Sequence, residues 1–493
     1  MPPNRPTLAR GLSLIGLIAT GVCAMIGGAI NIIPFAIHRT VPGIGPDVLS
    51  AYVIAAIPAA LAGLCFAILG SAMPRAGGTY VYASRALSPY LGFVASFSQW
   101  LAIAVAMGVV SYVLVPFLRD IAMVLDWSSV AAWLEQGAVR LTISLAVLWA
   151  AVLVNLRGIA TYQRIVVPLM LLTLGLGMVV IVGGFGSSHA EFAEALRTSG
   201  GPTIAAPPER PFDPWILISA ATVLFSSFIG FDSIAQAGGE ARNPSRNVPA
   251  AILIAVAGVA AFYFGFTAAV YHAVPWQFVA DQSEARDLTA PGLLALVLPA
   301  PVTVLILAGV AVALIKDLPA MLLGISRLMF AWGEDGVFPP AVAQVHRTSR
   351  APHVAILVTG LMATLSIIGC HLAGDFFLGV DILVTAMLAN FFLMSLSVIA
   401  LPITNPQLAA RITVLPARLG QLAVALLGAI GLAGFFVIHT WRDLTGPAPW
   451  YFRSTNAWLI VMIVGSLLFL RETAGLARGG VDLVARFREL PPE

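Results

Sequence analysis

The sequence is short of charge. Asp, Glu, Lys and Arg make up 10% of its 493 residues, against about 25% in an ordinary soluble domain. This excludes a disordered chain and argues against a water-soluble globular one. Lys316 is the single lysine among 26 basic residues, and no basic tract exists to form an electrostatic footprint on nucleic acid. Cysteine is scarce too: Cys23, Cys65 and Cys370 have no metal-ligand spacing and read as small buried hydrophobes. The seven histidines form no HExxH pair, and no phosphate-binding P-loop occurs. No metal, nucleotide or other cofactor is therefore expected, and no enzyme chemistry. The polar stretch Met1 to Arg10 precedes an apolar run without a small-residue cleavage motif, which reads as a membrane helix rather than a signal peptide.

What the chain has is apolar length. Hydrophobic residues make up 59%, and the mean hydropathy is +0.94. They fall into runs long enough to cross a bilayer core about 30 Å thick, without the short alternating segments of a β-barrel. The fold class is thus an all-α polytopic membrane protein. Twelve transmembrane helices are expected at 12–37, 47–72, 91–118, 138–156, 162–185, 214–238, 248–272, 299–331, 351–371, 376–401, 415–438 and 457–470. The first begins after Arg5 and Arg10. Counting loop arginines gives 17 on the side of the N-terminus and 8 on the other, which predicts both termini in the cytoplasm.

The expected organisation is a cytoplasmic N-terminus over 1–11, a ten-helix core over 12–401, a linker over 402–414, two additional helices over 415–470 and a cytoplasmic C-terminus over 471–493. The stretch 187–213, with Pro202, Pro207, Pro208 and Pro211, reads as an irregular outer loop. So does 273–298, with Pro275, Asp281, Glu284, Asp287 and Pro291. Each is a plain connector or a cap on an outward vestibule. Met73-Pro-Arg-Ala-Gly-Gly-Thr-Tyr80 suits a sharp re-entrant turn.

Two helices carry interruptions at matching places. The first contains Gly27-Gly28-Ala29-Ile30-Asn31 and then Pro34; the sixth contains Ser226-Ser227-Phe228-Ile229-Gly230. They open two successive five-helix sets, and five is odd, so the second set is inverted. Gly-interrupted helices at corresponding positions in inverted halves point to a transport site. Unwinding exposes backbone groups that need protein, water or ligand. A half-helix N-terminus suits a carboxylate, and freed carbonyls suit an ammonium. An amino acid carries both. The alternative reading is that Gly27 and Gly28 only allow close helix packing.

These motifs resemble the amino acid–polyamine–organocation superfamily of secondary transporters. Gly27-Gly28-Ala29 is similar to its first-helix break, Met73 to Tyr80 to the loop after its second helix, and Gly230-Phe-Asp-Ser-Ile234 with Glu240, Asn243-Pro244, Arg246 and Pro249 to its sixth-helix ending. Ser326-Arg327 with Asp335-Gly336, Pro339, His346 and Pro352 is similar to the end of its eighth helix. The resemblance implies a five-plus-five inverted-repeat (LeuT-like) fold with discontinuous helices 1 and 6, alternating access, and amino acid or amine substrates. It implies that Gly27, Gly28 and Ala29 meet a substrate carboxylate. It implies that Ser226, Ser227 and Ile229 offer carbonyls to the amino group, and that Phe228 is an aromatic gate or a packing residue. Expected partners are then a small amino acid or amine, the lipid bilayer of a bacterial cytoplasmic membrane and coupled protons, with the chain a monomer or weak homodimer. The competing class is a non-transporting sensor on the same scaffold.

The sequence departs from the family pattern. Ala29 replaces the second glycine of the break, and Asn31 stands at a usually aromatic place, adding a donor and an acceptor beside the substrate. Ile68 and Gly239 stand where many members carry Glu, so a cytoplasmic gating contact is missing or rebuilt. Met170 stands where proton-coupled relatives have lysine. Asp232 is expected to cap or gate the sixth helix, Asp375 to be interfacial and Asp381 to be intramembrane. No acid lies in 20–34 or 220–231, which predicts a neutral amino acid as solute. The alternative is a cationic amino acid or polyamine, with Asp232 or an acid from another helix in the pocket. Lys316 follows an apolar run and lies too far from cytoplasmic Arg327 to snorkel. It is expected to replace a bound sodium ion against carbonyls of the broken first helix, with coupling to protons or none. Two plainer readings are a structural pair with Asp317 or Asp381, against which stands that adjacent helical positions do not face alike, and a loop over Lys316 to Pro319.

Overall fold

The computed structural model describes residues 8–204, 212–285, 288–373, 377–446 and 449–491. Arg5, Pro207, Pro208, Pro211, Asp287 and Asp375 lie outside them. The described chain is helical, with two isolated β-bridges, Leu12 to Ala241 and Ala76 to Ala237.

In chain order the elements are α1 (Leu14–Met25), α2 (Ile33–Thr40), α3 (Val48–Ala72), α4 (Gly78–Ala86), α5 (Pro89–Val124), α6 (Ser128–Glu135), α7 (Gly137–Leu156), α8 (Ile159–Phe185), α9 (His189–Thr198), α10 (Pro214–Leu224) and α11 (Asp232–Gln236). Then come α12 (Pro244–Ala273), α13 (Trp276–Ala285), α14 (Ala290–Leu294), α15 (Ala300–Asp335), α16 (His353–Ala373), α17 (Phe377–Thr404), α18 (Pro406–Ala409), α19 (Arg418–Thr445), α20 (Ser454–Arg478) and α21 (Leu483–Arg486). Eleven helical segments among the described residues are long and apolar enough to cross a membrane, counting 214–236 as one. The expected first helix over 12–37 is different: it forms the short apolar α1, a 3-10 turn Gly28–Asn31, and α2.

Local chemistry sets the boundaries. Ser13 caps α1 and Ser88 caps α5, each side chain accepting from a backbone N–H three residues on, at 3.2 Å. Pro89, Pro214 and Pro244 sit in first turns, where a missing N–H costs nothing. Helix α15 runs unbroken for 36 residues to a left-handed Gly336, so Lys316 to Pro319 is helix, not loop. The described parts of both stretches expected as outer loops contain helices, α9 in the first and α13 and α14 in the second. Ser188 and Glu191 form a capping box on α9, and Phe192 of α9 meets Phe278 of α13 edge-on, with ring centroids 5.0 Å apart.

Helix α15 packs against α1, α5, α7, α8, α11 and α16, which makes it the axis of the bundle. The end that carries both termini is closed by two buried ion pairs. Arg327 donates to both Glu240 oxygens at 2.7 and 2.9 Å, and Arg85 to both Asp335 oxygens at 2.5 and 3.0 Å. Glu240, next to Gly239, supplies the carboxylate of the first pair.

Candidate functional site

The two interruptions cross in direct contact. After Met25 the chain leaves α1 at Gly27, whose φ of −110° and ψ of −155° are extended. Opposite it, Ile229 is extended and Gly230 has φ 135°. Only glycine adopts that φ readily. A Cβ on Gly230 would stand 2.6 Å from Ala24 C and O, so it is also the point where the two backbones touch.

The carbonyls freed at the end of α1 have defined partners. Lys316 Nζ donates to Cys23 O at 3.1 Å, to Ile26 O, and to Asp317 Oδ1 at 2.8 Å. Tyr263 Oη donates to Met25 O at 2.5 Å. Orphan carbonyls at a helix end inside a membrane must be met in this way. The expected contact between Lys316 and the first helix is therefore present. The objection to a pair with Asp317 does not hold, because the flexible lysine stem bends to the next carboxylate.

A cavity of about 490 Å³ opens beside the break, a size suited to a small solute. Gly27, Gly28, Ala29, Ser226 and Ile229 line it. Asn31 does not; it faces a separate pocket of about 20 Å³ with Thr173, because the 3-10 turn rotates it to the back of the break. Ser227, Phe228, Asp232 and Lys316 also stand off the wall. Ser227 Oγ meets Tyr52 Oη at 3.3 Å. Phe228 is edge-on to Tyr52 and Tyr263, with ring centroids 6.3 and 6.0 Å apart. Asp232 is fully buried, accepting from Gly230 N at 3.1 Å and from Gln99 Nε2. It thus holds the backbone of the second break at Gly230, and α11 has no side-chain cap. Gln99 Oε1 in turn accepts from Gln236 at 3.2 Å and Asn390 at 3.0 Å.

Of the three acids on the cavity wall, Asp317, Asp381 and Asp443, the one at the break is Asp317, on α15. A Cβ on Gly27 would overlap its Oδ2, so the absence of a side chain at Gly27 leaves room for this carboxylate at the break. The acid-free lining behind the neutral-solute expectation does not describe this cavity: 20–34 and 220–231 belong to the two broken helices, and the acid comes from a third. Its signal was present as a carboxylate inside an apolar run, which is functional by default. The intervening wall is apolar, with Ile103, Val109, Val113, Leu314 and Met321. At the far end from the termini the lining turns polar again, with Thr40, Asp381, His439, Arg442 and Asp443. Helix α19, expected as part of an appendage, thus supplies part of this wall.

Comparison with known proteins agrees with this architecture. Residues 12–468 match the family model described as amino acid permease. The methylthioribose transporter of Bacillus subtilis (strain 168) is 26% identical over 418 residues, 82% of this chain and 84% of that protein. Cationic amino acid transporter 4 of Homo sapiens is 25% identical over 378 residues, 72% of this chain and 54% of that protein, so the match spans about half the human protein. The low-affinity putrescine importer PlaP of Escherichia coli (strain K12) is 28% identical over 331 residues, 64% of this chain and 66% of that protein. With the family match running nearly end to end, the chain belongs to the amino acid permeases of the amino acid–polyamine–organocation superfamily, as a secondary transporter of a small organic solute.

Proposed function

We propose that the chain carries a small organic cation, a polyamine or a cationic amino acid, across the membrane by alternating access. The observation that carries this reading is Asp317, a carboxylate on the cavity wall beside the backbone break at Gly27. It offers an ammonium a charge-assisted partner. The N–H groups at the start of the turn after Gly27 suit a carboxylate where the solute has one. The printed names of two relatives, a cationic amino acid transporter and a putrescine importer, point the same way. A neutral amino acid is the second reading, favoured by the fact that Lys316 already balances the charge of Asp317.

In this reading α1 with α2 and α10 with α11 are the discontinuous first and sixth helices of a twelve-span, five-plus-five inverted repeat. The core is 12–401, and the helices over 415–470 are additions. Both termini face the cytoplasm of a bacterial cell, and the chain works as a monomer or weak homodimer. Gly27, Gly28 and Ala29 receive the solute, with Ser226 and Ile229 across the cavity. Phe228 acts through the aromatic group it forms with Tyr52 and Tyr263, and Asp232 holds the second break. Lys316 stands in place of a sodium ion, so coupling is to protons or absent.

Uptake into proteoliposomes tests this. Labelled putrescine, ornithine and arginine should enter and compete with one another, and alanine and leucine should compete weakly. Tight competition by alanine or leucine with no effect of putrescine would reject the cationic reading. Stimulation by an imposed sodium gradient alone would reject the role given to Lys316.

A further inference from the structure

The turn that interrupts the first helix has two faces. Gly28 and Ala29 line the large cavity, Ile30 and Asn31 line the pocket of about 20 Å³ behind it, and Gly27 borders both. Thr173 lines the same small pocket. It comes from α8, a helix packed on α1, α12 and α15. Helical hydroxyls elsewhere in the core, those of Thr20, Ser96 and Ser111, turn back to a carbonyl four residues earlier, at 2.9, 2.7 and 2.8 Å. The Thr173 hydroxyl is buried and has no hydrogen-bond partner among the described residues. A hydroxyl held in this way costs free energy unless a group inside the pocket meets it.

We infer that the small pocket holds one water molecule that bridges the Asn31 side chain to the Thr173 hydroxyl, and that this bridge sets the position of the turn. About 10–15 Å³ of such space is enough for one water, so the pocket takes a single water and excludes a solute. The buried Asn31 amide brings a donor and an acceptor, and Thr173 brings its hydroxyl. Together they supply the two to four polar contacts that a buried water makes. A sodium ion would lack a counter-charge there. No acid lines the pocket, and the Lys316 ammonium already donates to the carbonyl of Ile26, a residue of the same lining. A water joint also suits a moving part, because a water can reorient and keep its hydrogen bonds while Asn31 shifts against α8. The role of the bridge in transport rests on the reading of Gly28 and Ala29 as contacts of the solute. Asn31 and Thr173 are then positioning residues that act through the turn.

Melting of the full-length protein in detergent tests for the water without reference to any solute. Thr173→Val replaces the hydroxyl by a methyl of similar size. With an unpartnered hydroxyl this change raises the melting temperature. With a bridged water it lowers it by a few degrees, because the water and Asn31 lose a partner. Asn31→Ala should lower it too, and the double variant should lose clearly less than the sum of the two, since each alone breaks the same bridge. In proteoliposomes each single variant should raise the KM for labelled putrescine several-fold and leave the maximal rate nearly unchanged, and Thr173→Ser should restore the KM. A loss of folded protein alone would instead lower the maximal rate and spare the KM. A higher melting temperature in Thr173→Val, or additive losses in the double variant, overturns the water. So does a melting temperature raised by sodium chloride over choline chloride in the parent but not in Thr173→Val, which would assign the pocket to a cation. An unchanged KM in both variants, beside a changed KM in Gly28→Ala, overturns the positioning role. An unchanged KM in all three rejects the reading of the turn as the solute's contact. Uptake of leucine and not putrescine by the parent rejects the cationic reading alone, and the KM comparison then uses leucine.

Discussion

Lys316 and Asp317 form a pair of a kind that is costly to build and more costly to break. Both side chains are almost fully buried, at 0% and 3% exposure. Removing one partner of such a pair leaves a stranded charge, a loss of about 3–5 kcal/mol. Lys316→Met is therefore expected to lower the melting temperature in detergent sharply, and Lys316→Met with Asp317→Asn to recover part of it. Failure of the double variant to recover anything would show that the carbonyls of Cys23 and Ile26, not Asp317, are what Lys316 serves. Two adjacent glycines should also part company. A methyl at Gly28 would stand 2.5 Å from Leu314 Cδ2, the movable end of a side chain. At Gly27 it would displace the Asp317 carboxylate. Gly27→Ala should abolish putrescine uptake, and Gly28→Ala should reduce it only several-fold; equal effects in the two uptake assays would argue against Asp317 as the solute's partner.

At the scale of the element, the two interruptions depend on each other. Gly230 needs both its φ of 135° and the absence of a side chain against Ala24. Any substitution there meets backbone, which cannot rotate away as Leu314 can. Gly230→Ala should cost several kcal/mol, since backbone strain alone is worth about 1–3 kcal/mol before the clash is added. The expected result is poor yield of folded protein by size-exclusion in detergent, and a monodisperse, transport-active variant would refute it. The break in the first helix is legible in Gly27, Gly28 and Pro34, because low helix propensity and a missing N–H are local properties. The contact between the breaks is not legible, since it joins residues about two hundred positions apart.

For the whole molecule, the pairs Arg327 with Glu240 and Arg85 with Asp335 close the end that carries the termini. The C-terminal segment covers the second pair. Glu489 O accepts from Arg85 Nε at 3.0 Å, Asn405 Nδ2 donates to Arg488 O at 2.9 Å, and the Phe487 ring lies 5.0 Å from the Arg85 guanidinium carbon. Truncation after Gly480 should leave the core folded but make the Arg85 pair accessible to water, and so worth less. The expected readout is faster hydrogen exchange in α4 and at the end of α15, with exchange in α12 unchanged. Equal protection in the full-length and truncated proteins would mean that the tail contributes nothing to this closure.

Composition and run length by themselves determined the class and the position of the long apolar segments, eleven of which form membrane-length helices among the described residues. Each of these follows from about twenty contiguous residues answering to a bilayer about 30 Å thick. The motifs also carried the family, because loop and break residues are read in order along the chain. Which side chains face the cavity was decided only by packing. Asp317 reaches the break from α15, Arg442 reaches the mouth from α19, and Asn31 and Phe228 turn away from the wall despite lying within the interrupted stretches. A cavity in a helical bundle is assembled from one or two residues of each helix. The phase of each helix about its axis, which selects those residues, is set by its neighbours; in a chain apolar on nearly every face, periodicity leaves that phase undetermined.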